Sequence, residues 1–234
     1  VTVSKPGSSY TYSGEGFVWL QLAVEAITGE GVGALMQRML FAPAGMRSSI
    51  MGWSRSASAA AVYGHDVPSG GRFKLPAQPT RSLGDALLPI ADRWNKPIAD
   101  WTYEDQVRGM AEAEPATKAV PHELLVNVAG GLMTTPADYI RFMALMMDGQ
   151  RRHSWQISEQ SRQLMLSRQL NVAGRSFYRG LGWQREDHDG AALFEHSGSN
   201  YGIFHSLAVG DARSGNSIAI FTNGANGSEL AARI

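Results

Sequence analysis

The chain contains no cysteine. Disulfides, thiolate nucleophiles and cysteine-ligated metals are therefore excluded, although the compartment stays open because exported proteins can also lack cysteine. It has no excess of charge of either sign, with 21 Lys plus Arg against 21 Asp plus Glu. That balance gives no electrostatic reason to expect nucleic acid or an anionic membrane as a partner, so the expected partner is small. No apolar run approaches the length of a membrane span. The opening "VTVSKPGSSY" lacks the basic and then apolar order of a signal peptide, so either the protein is not exported or its start lies upstream. Internal repeats, charge blocks and low-complexity tracts are absent too. What is present is 234 residues, 44% of them hydrophobic, enough for one globular unit or two intimately packed subdomains.

From Glu15 the spacing of Phe17, Leu20, Val24 and Ile27 predicts a helix, with Gly29 placed as its C-terminal cap. A second apolar stretch, Val32 to Leu40, is stopped by Pro43 and the turn "APAGM". Its methionines read as core. Between Ser54 and Val128 the period weakens and Pro68, Pro76, Pro79, Pro89, Pro97, Pro115 and Pro121 interrupt any long element, so a loop-rich region with short helices at most is expected. Trp94, Trp101 and Tyr103 there either anchor the loops, the favoured reading, or roof a pocket.

Helical order returns at "AGGLMTTPADYIRFMALMMDGQ". Thr135 is the expected N-cap, Pro136 lies in the first turn, Ile140, Met143 and Met147 form a stripe, and Gly149 ends it. A further helix is expected from Ser158 to about Leu170. After Gly174 the period changes to two. "YRGLGWQRE", "AALFEHS", "GIFHSLAV" and "NSIAIFTN" read as successive strands joined by "DHDG" and "GDARSGN". Helices followed by an antiparallel meander predict an α+β fold, with a helical and loop-rich subdomain over 1–174 and a sheet subdomain over 175–234 that ends in the start of a helix.

The densest cluster of chemically useful side chains is "EHSGSNYG", Glu195 to Gly202. Gly198 would let a substrate approach the backbone and the Ser199 N–H could donate to an oxyanion, although an isolated His-Ser-Gly is more often a hydrogen-bonded turn. His65-Asp66 and the surroundings of His188 lack the paired-histidine spacing of a metal site and read as solvated turns.

Five short motifs occur together: Tyr12-Ser13-Gly14 ahead of a helix, Ile27-Thr28-Gly29 at its end, Pro43-Ala44-Gly45-Met46, Ala129-Gly130-Gly131-Leu132, and His196-Ser197-Gly198 on a late strand. In this order and spacing the chain resembles the serine β-lactamase-like superfamily, which includes class C β-lactamases, D-alanyl-D-alanine carboxypeptidases and related esterases. The resemblance implies a β-lactamase/transpeptidase-like fold of helices packed on an antiparallel sheet. It implies that Tyr12 shuttles a proton between nucleophile and leaving group, and that His196 replaces the family's lysine or histidine and favours an anionic substrate. It also places Ser13 and Gly14 at the substrate and makes Ser197, Gly198 and Ser199 line the acyl site, the Ser199 N–H forming half of an oxyanion hole. No metal or organic cofactor is implied.

Two departures shape what is expected. The family's nucleophile is the serine of a Ser-x-x-Lys motif, and here the four lysines, Lys5, Lys74, Lys96 and Lys118, are preceded three positions earlier by Thr2, Gly71, Arg93 and Pro115. The chain is therefore expected to be a part of such a hydrolase, incomplete at both ends and inactive alone. Gly14 stands where the family has asparagine, which makes ester or amide acyl transfer a better expectation than β-lactam hydrolysis. Glu15 could hold the lysine, but a glutamate in a first helical turn is favoured by the helix dipole anyway. The expected partner is a small ester, amide or β-lactam, with self-association through an exposed sheet edge and a periplasmic or secreted location if the family is followed. The alternative is a non-catalytic homologue that binds a peptide or cell-wall fragment in the same cleft.

Overall fold

The computed structural model of the chain describes residues 5, 7–66, 78–114, 124–147, 157–172 and 176–234. Thr2, Pro68, Lys74, Pro76, Pro115, Lys118, Pro121, Gly149 and the boundary at Gly174 lie outside the described residues.

Helix α1 spans Gly14–Thr28. The Ser13 hydroxyl caps it by accepting from the Gly16 N–H (3.1 Å), and Gly29 closes it in the left-handed region at φ 70°. Its buried residues are Val18, Gln21 and Glu25, whereas the apolar series read from the sequence faces outward, Phe17, Leu20 and Ile27 all being exposed. Helix α2 (Val32–Met36) runs into a widened turn at Gln37–Phe41. A short strand β1 (Ile50–Met51) and helix α3 (Arg55–Ala60) follow.

The expectation of loops with short helices at most between Ser54 and Val128 is corrected by α4 (Pro79–Trp94) and α5 (Tyr103–Ala113). Pro79 occupies the first helical position, where its missing N–H costs nothing, and Pro89 is accommodated inside α4. The buried face of α4 consists of Gly84, Leu87, Ile90 and Ala91, and a methyl on Gly84 would strike the Trp53 ring. A helix that buries its smallest residues leaves little hydrophobic period to read. Trp101 is fully buried against Trp94, with ring centroids 4.8 Å apart, so this region anchors a core that also contains Phe41, Trp53, Leu87 and Val126.

Helix α5 begins with a capping box in which Thr102 Oγ1 accepts from the Asp105 N–H (3.3 Å) and Asp105 Oδ2 accepts from the Thr102 N–H (3.1 Å). Thr102→Ala is expected to lower stability by about 1 kcal/mol. Urea unfolding should report this as a lower midpoint at unchanged slope, and an unchanged midpoint would show that the box is not stabilising.

Strand β2 (Leu132–Met133) pairs antiparallel with β1, and α6 (Pro136–Met147) follows with Thr135 Oγ1 accepting from the Asp138 N–H (3.2 Å). The core stripe of α6 is Met143 with Met146, while Ile140 is exposed. Helix α7 (Glu159–Leu166) is shorter than expected because Leu170–Asn171 is already strand β3, paired with β4 (Tyr178–Arg179). The sheet continues through β5 (Gln184–His188), β6 (Ala191–Asn200), β7 (Phe204–Asp211) and β8 (Ser217–Thr222) in sequential antiparallel order. The expected first strand is split in two at Gly180 to Gly182, and the rest of the meander stands as read. Phe194 and Ala208 pack with Met143 and Met146, so one sheet face meets α6. The short helix α8 (Gly227–Ala231) lies on the other face, where Gly227 is close against Thr222 and His205.

Candidate active site

The Asp189-Gly190 turn, with φ of 44° and 85°, joins His188 to Ala191 as a two-residue hairpin loop and thereby fixes the register of β6. In such a hairpin the loop-closing residues exchange hydrogen bonds, so Ala191, Leu193 and Glu195 direct their N–H and C=O groups to β5. The even-numbered residues direct theirs to β7, as the Ala212 N–H to Ala192 C=O bond (3.0 Å) shows. Pairing with β5 stops at Glu195↔Gln184, while pairing with β7 continues to Asn200↔Phe204. The backbone N–H groups of Ser197 and Ser199 therefore point across an open strand margin.

Alternation also sorts the side chains. His196, Gly198 and Asn200 share the face of Phe194, towards α6, whereas the side chains of Ser197 and Ser199 lie on the opposite face with Glu195. At this margin the two serines thus present backbone rather than hydroxyl groups. A methyl on Gly198 would come within 3.0 Å of Ser206 Oγ, so a bare glycine keeps the strand surface flat there.

The far end of the margin is tied to the Ala129-Gly130-Gly131 turn, because Asn200 Nδ2 donates to the Gly130 carbonyl (3.2 Å). That turn is set from beneath by buried amides. Gln21 and Gln106 both donate to the Val126 carbonyl (3.1 and 3.0 Å), Gln106 accepts from the Val126 N–H (2.8 Å), and Gln21 accepts from the Val128 N–H (3.2 Å). Gly131 donates to the Asn127 carbonyl (2.7 Å), and a methyl at Gly131 would meet the Leu125 carbonyl oxygen at 2.6 Å. The start of α1 meets the same turn, a methyl on Gly14 falling 3.7 Å from Ala129 Cβ, which is ordinary contact.

The near end is tied down by Arg179. Its guanidinium carbon lies 4.4 Å from the Tyr10 ring centroid and 5.3 Å from that of Phe177. In register Arg179 pairs with Gln184, which pairs in turn with Glu195 and donates to it (2.6 Å). The Tyr10–Gly14 segment thus meets Arg179 at one end and comes near Ala129 at the other. Tyr12 lies between these points and is 78% exposed, and the Ser13 hydroxyl is occupied as a helix cap. Among the described residues no hydrogen bond joins Tyr12 to His196.

The His196 imidazole is held below its ordinary value, first because neighbouring protein excludes water although part of the ring is exposed, and second because Arg179 is close; a hydrogen bond with the Ser197 backbone works the other way. Glu195 is pushed above the usual carboxylate value by burial and then by Glu186, against a lowering by Arg179. Among the described residues no group of three or more acidic or histidine side chains is placed to hold a metal ion, and no helix is long and apolar enough to cross a membrane.

Arg179, Asn200, Gln21 and Gln106 were not singled out by the sequence reading. Asn200 lay inside the quoted stretch and Arg179 beside Gly180-Leu181-Gly182-Trp183, but the two glutamines look like ordinary polar helix residues.

A family model described as Beta-lactamase matches residues 2–234. No curated protein matches the chain. Among solved structures the fold is similar to a penicillin-binding protein from Bacillus halodurans (TM-score 0.65, 18% identity, covering 98% of this chain and 57% of that one). It is also similar to an octameric penicillin-binding protein homologue from Pyrococcus abyssi (TM-score 0.64, 17% identity, 94% and 40%). A third is a D-amino acid amidase from Ochrobactrum anthropi (TM-score 0.58, 17% identity, 94% and 52%). The chain spans about half the length of these solved chains.

Proposed function

The chain belongs to the Beta-lactamase family, and on that premise we propose that it is the part of a serine hydrolase that carries the oxyanion strand and the proton-handling tyrosine. The reaction is acyl transfer from an ester, amide or β-lactam through an acyl-enzyme. A serine oxygen attacks the carbonyl carbon, the leaving group departs with a proton, and water then cleaves the serine ester. The observation that carries this reading is the open margin of β6, where the Ser197 and Ser199 N–H groups project beyond the last pairing with β5, while Arg179, in register with Gln184 and through it with Glu195, meets the Tyr10 ring. In this reading the Ser199 N–H stabilises the oxyanion, Gly198 keeps the strand flat for the substrate, Ser13 and Gly14 border it, and Tyr12 carries the proton.

The lowered pKa of His196 bears on its role. Its ordinary value is 6.5 and its folded value is lower, so at neutral pH the ring is neutral and serves as a hydrogen-bonding group. Arg179 brings a permanent cation to this end of the site, against the Tyr10 ring. The sequence contains no Ser-x-x-Lys. The chain as given is therefore expected to hydrolyse no p-nitrophenyl ester above background and to form no adduct with a serine-directed acylating probe. A protein extended upstream to include a Ser-x-x-Lys helix is expected to form one adduct per chain by mass spectrometry and to show burst kinetics. In that longer protein Tyr12→Phe should lower turnover by about 10²–10⁴-fold. If the longer protein takes no adduct, the chain is a peptide-binding homologue instead.

We also infer self-association through the outer edge of β8, since no strand among the described residues pairs with Ser217–Thr222 on that side, and only the continuation of the edge is taken, where His65 bridges Gly224.

A further inference from the structure

We propose that Arg179 is a positioning residue, whose guanidinium clamps the segment carrying Tyr12 along the open margin of β6. The hydrolase reading gives this clamp its purpose, but the geometry that supports it is independent of that reading.

Arg179 is rigidly placed, being the second residue of β4 with Leu170 opposite on one side and Gln184 on the other. Its guanidinium is directed to aromatic rings rather than to a carboxylate. Tyr10 is 4.4 Å and Phe177 5.3 Å away, and among the described residues no acidic side chain lies within ion-pair distance. Among the described residues the Arg179 Nε is buried with no hydrogen-bond partner, so the ring contacts, together with the longer-range attraction of Glu195, offset its desolvation. A planar cation stacked on a ring holds a segment that offers no regular backbone pairing, and residues 9–13 form no helix or strand.

Spans agree with this arrangement. From Tyr10 to Gly14 is four residue steps, and from His196 to Asn200 is also four; in extended form each covers about 13 Å. Ser13 is extended at φ −152°, ψ 110°. The segment is held by Arg179, close to Glu195 and His196, at one end, and at Gly14 it comes near the Ala129 turn that receives Asn200. It is thus long enough to run beside the margin from one pin to the other, with Tyr12 midway. Loss of the Arg179 pin would leave only the helix cap at Ser13 to orient Tyr12.

The charged and titratable groups around the clamp are Glu195, Glu186 and His196. Because Arg179 lowers the His196 pKa, that histidine reports on the cation while backbone order parameters report on the segment.

The test uses the chain as it stands, with backbone ¹⁵N order parameters of residues 9–13 and an NMR titration of His196, its resonance identified by its loss in His196→Gln. Arg179→Gln should lower the order parameters of residues 9–13 into the flexible range, below about 0.6, and should move the His196 midpoint upward. Tyr10→Leu should lower the same order parameters but shift the midpoint less, because the cation stays. Arg179→Lys should keep the midpoint close to that of the unmodified chain and restore part of the order. Unchanged order parameters at residues 9–13 in Arg179→Gln would overturn the clamp. So would faster amide exchange spread through β3, β4 and β5, which would make Arg179 a support of the sheet. None of these readouts needs turnover, so a failed clamp leaves the hydrolase reading standing, and an absent acyl adduct leaves the clamp standing.

Discussion

Gln106→Leu is expected to destabilise the chain by about 1–3 kcal/mol, because it leaves the Val126 N–H buried without an acceptor. Leucine approximates the shape of glutamine, so packing changes little and the cost is that of the unmet donor. The Val126 carbonyl would keep its bond from Gln21, which makes the double substitution more informative. With Gln21→Leu added, the Val126 carbonyl and the Val128 N–H also lose their partners, and Glu25 loses the Gln21 amide (2.9 Å). Glu25 would still accept from Tyr103 N–H (2.9 Å), but one buried carboxylate oxygen would be less well satisfied. The two changes share one acceptor, so their combined cost should exceed the sum of the single costs. Urea unfolding measures this. Exchange at Gly130 and Asn200 should rise in step, since the turn that receives Asn200 rests on these amides. Additive costs with unaltered exchange at Asn200 would mean that the amides stabilise the core without positioning the turn.

How far the sequence discloses this architecture depends on the range of the interaction involved. The caps at Gly29, Thr135 and Ser158 are local hydrogen bonds or local φ preferences, and each was legible, whereas Ser13, read as a substrate residue, turns out to cap α1. The meander was legible because strand alternation and the Asp189-Gly190 turn are equally local. Helix α4 was hidden because Gly84 and Ala91 stand on its buried face and Pro89 stands within it. On α1 the apolar period was present, but it marks an exposed face, with Phe17, Leu20 and Ile27 left uncovered among the described residues. At the site, Tyr12 and His196 were singled out through a motif resemblance, whereas Arg179 acts on a ring 169 positions earlier in the chain, a contact that spacing does not encode. The direction of the Ser199 N–H became readable only once the hairpin register was known.

The same uncovered surfaces lead to the expectation that the protein self-associates at micromolar concentration. The Asp211 N–H to Asn216 C=O bond (2.9 Å) and the register Val209↔Ile218 direct Ile218, Ile220 and Thr222 towards β7. Ser217, Ala219 and Phe221 then turn their N–H and C=O groups outward along the edge. An edge of this kind is a template for another strand, and a second copy offers the identical edge in antiparallel orientation about a two-fold axis. The adjoining sheet face carries Leu193, Leu207, Val209 and Ile220, with Ile218 42% exposed, and α8 covers only the end near His205 and Thr222. Burying one exposed isoleucine contributes about 1.5–3 kcal/mol, so a few such side chains in each protomer can offset the entropic cost of association. Light scattering should report a dimer or larger species, and the melting temperature should rise with protein concentration. Ile218→Lys places a charge at the edge and should return the chain to a monomer with concentration-independent melting. If the unmodified chain is already such a monomer across the micromolar range, the edge is closed within the chain itself, and the inference of self-association is wrong.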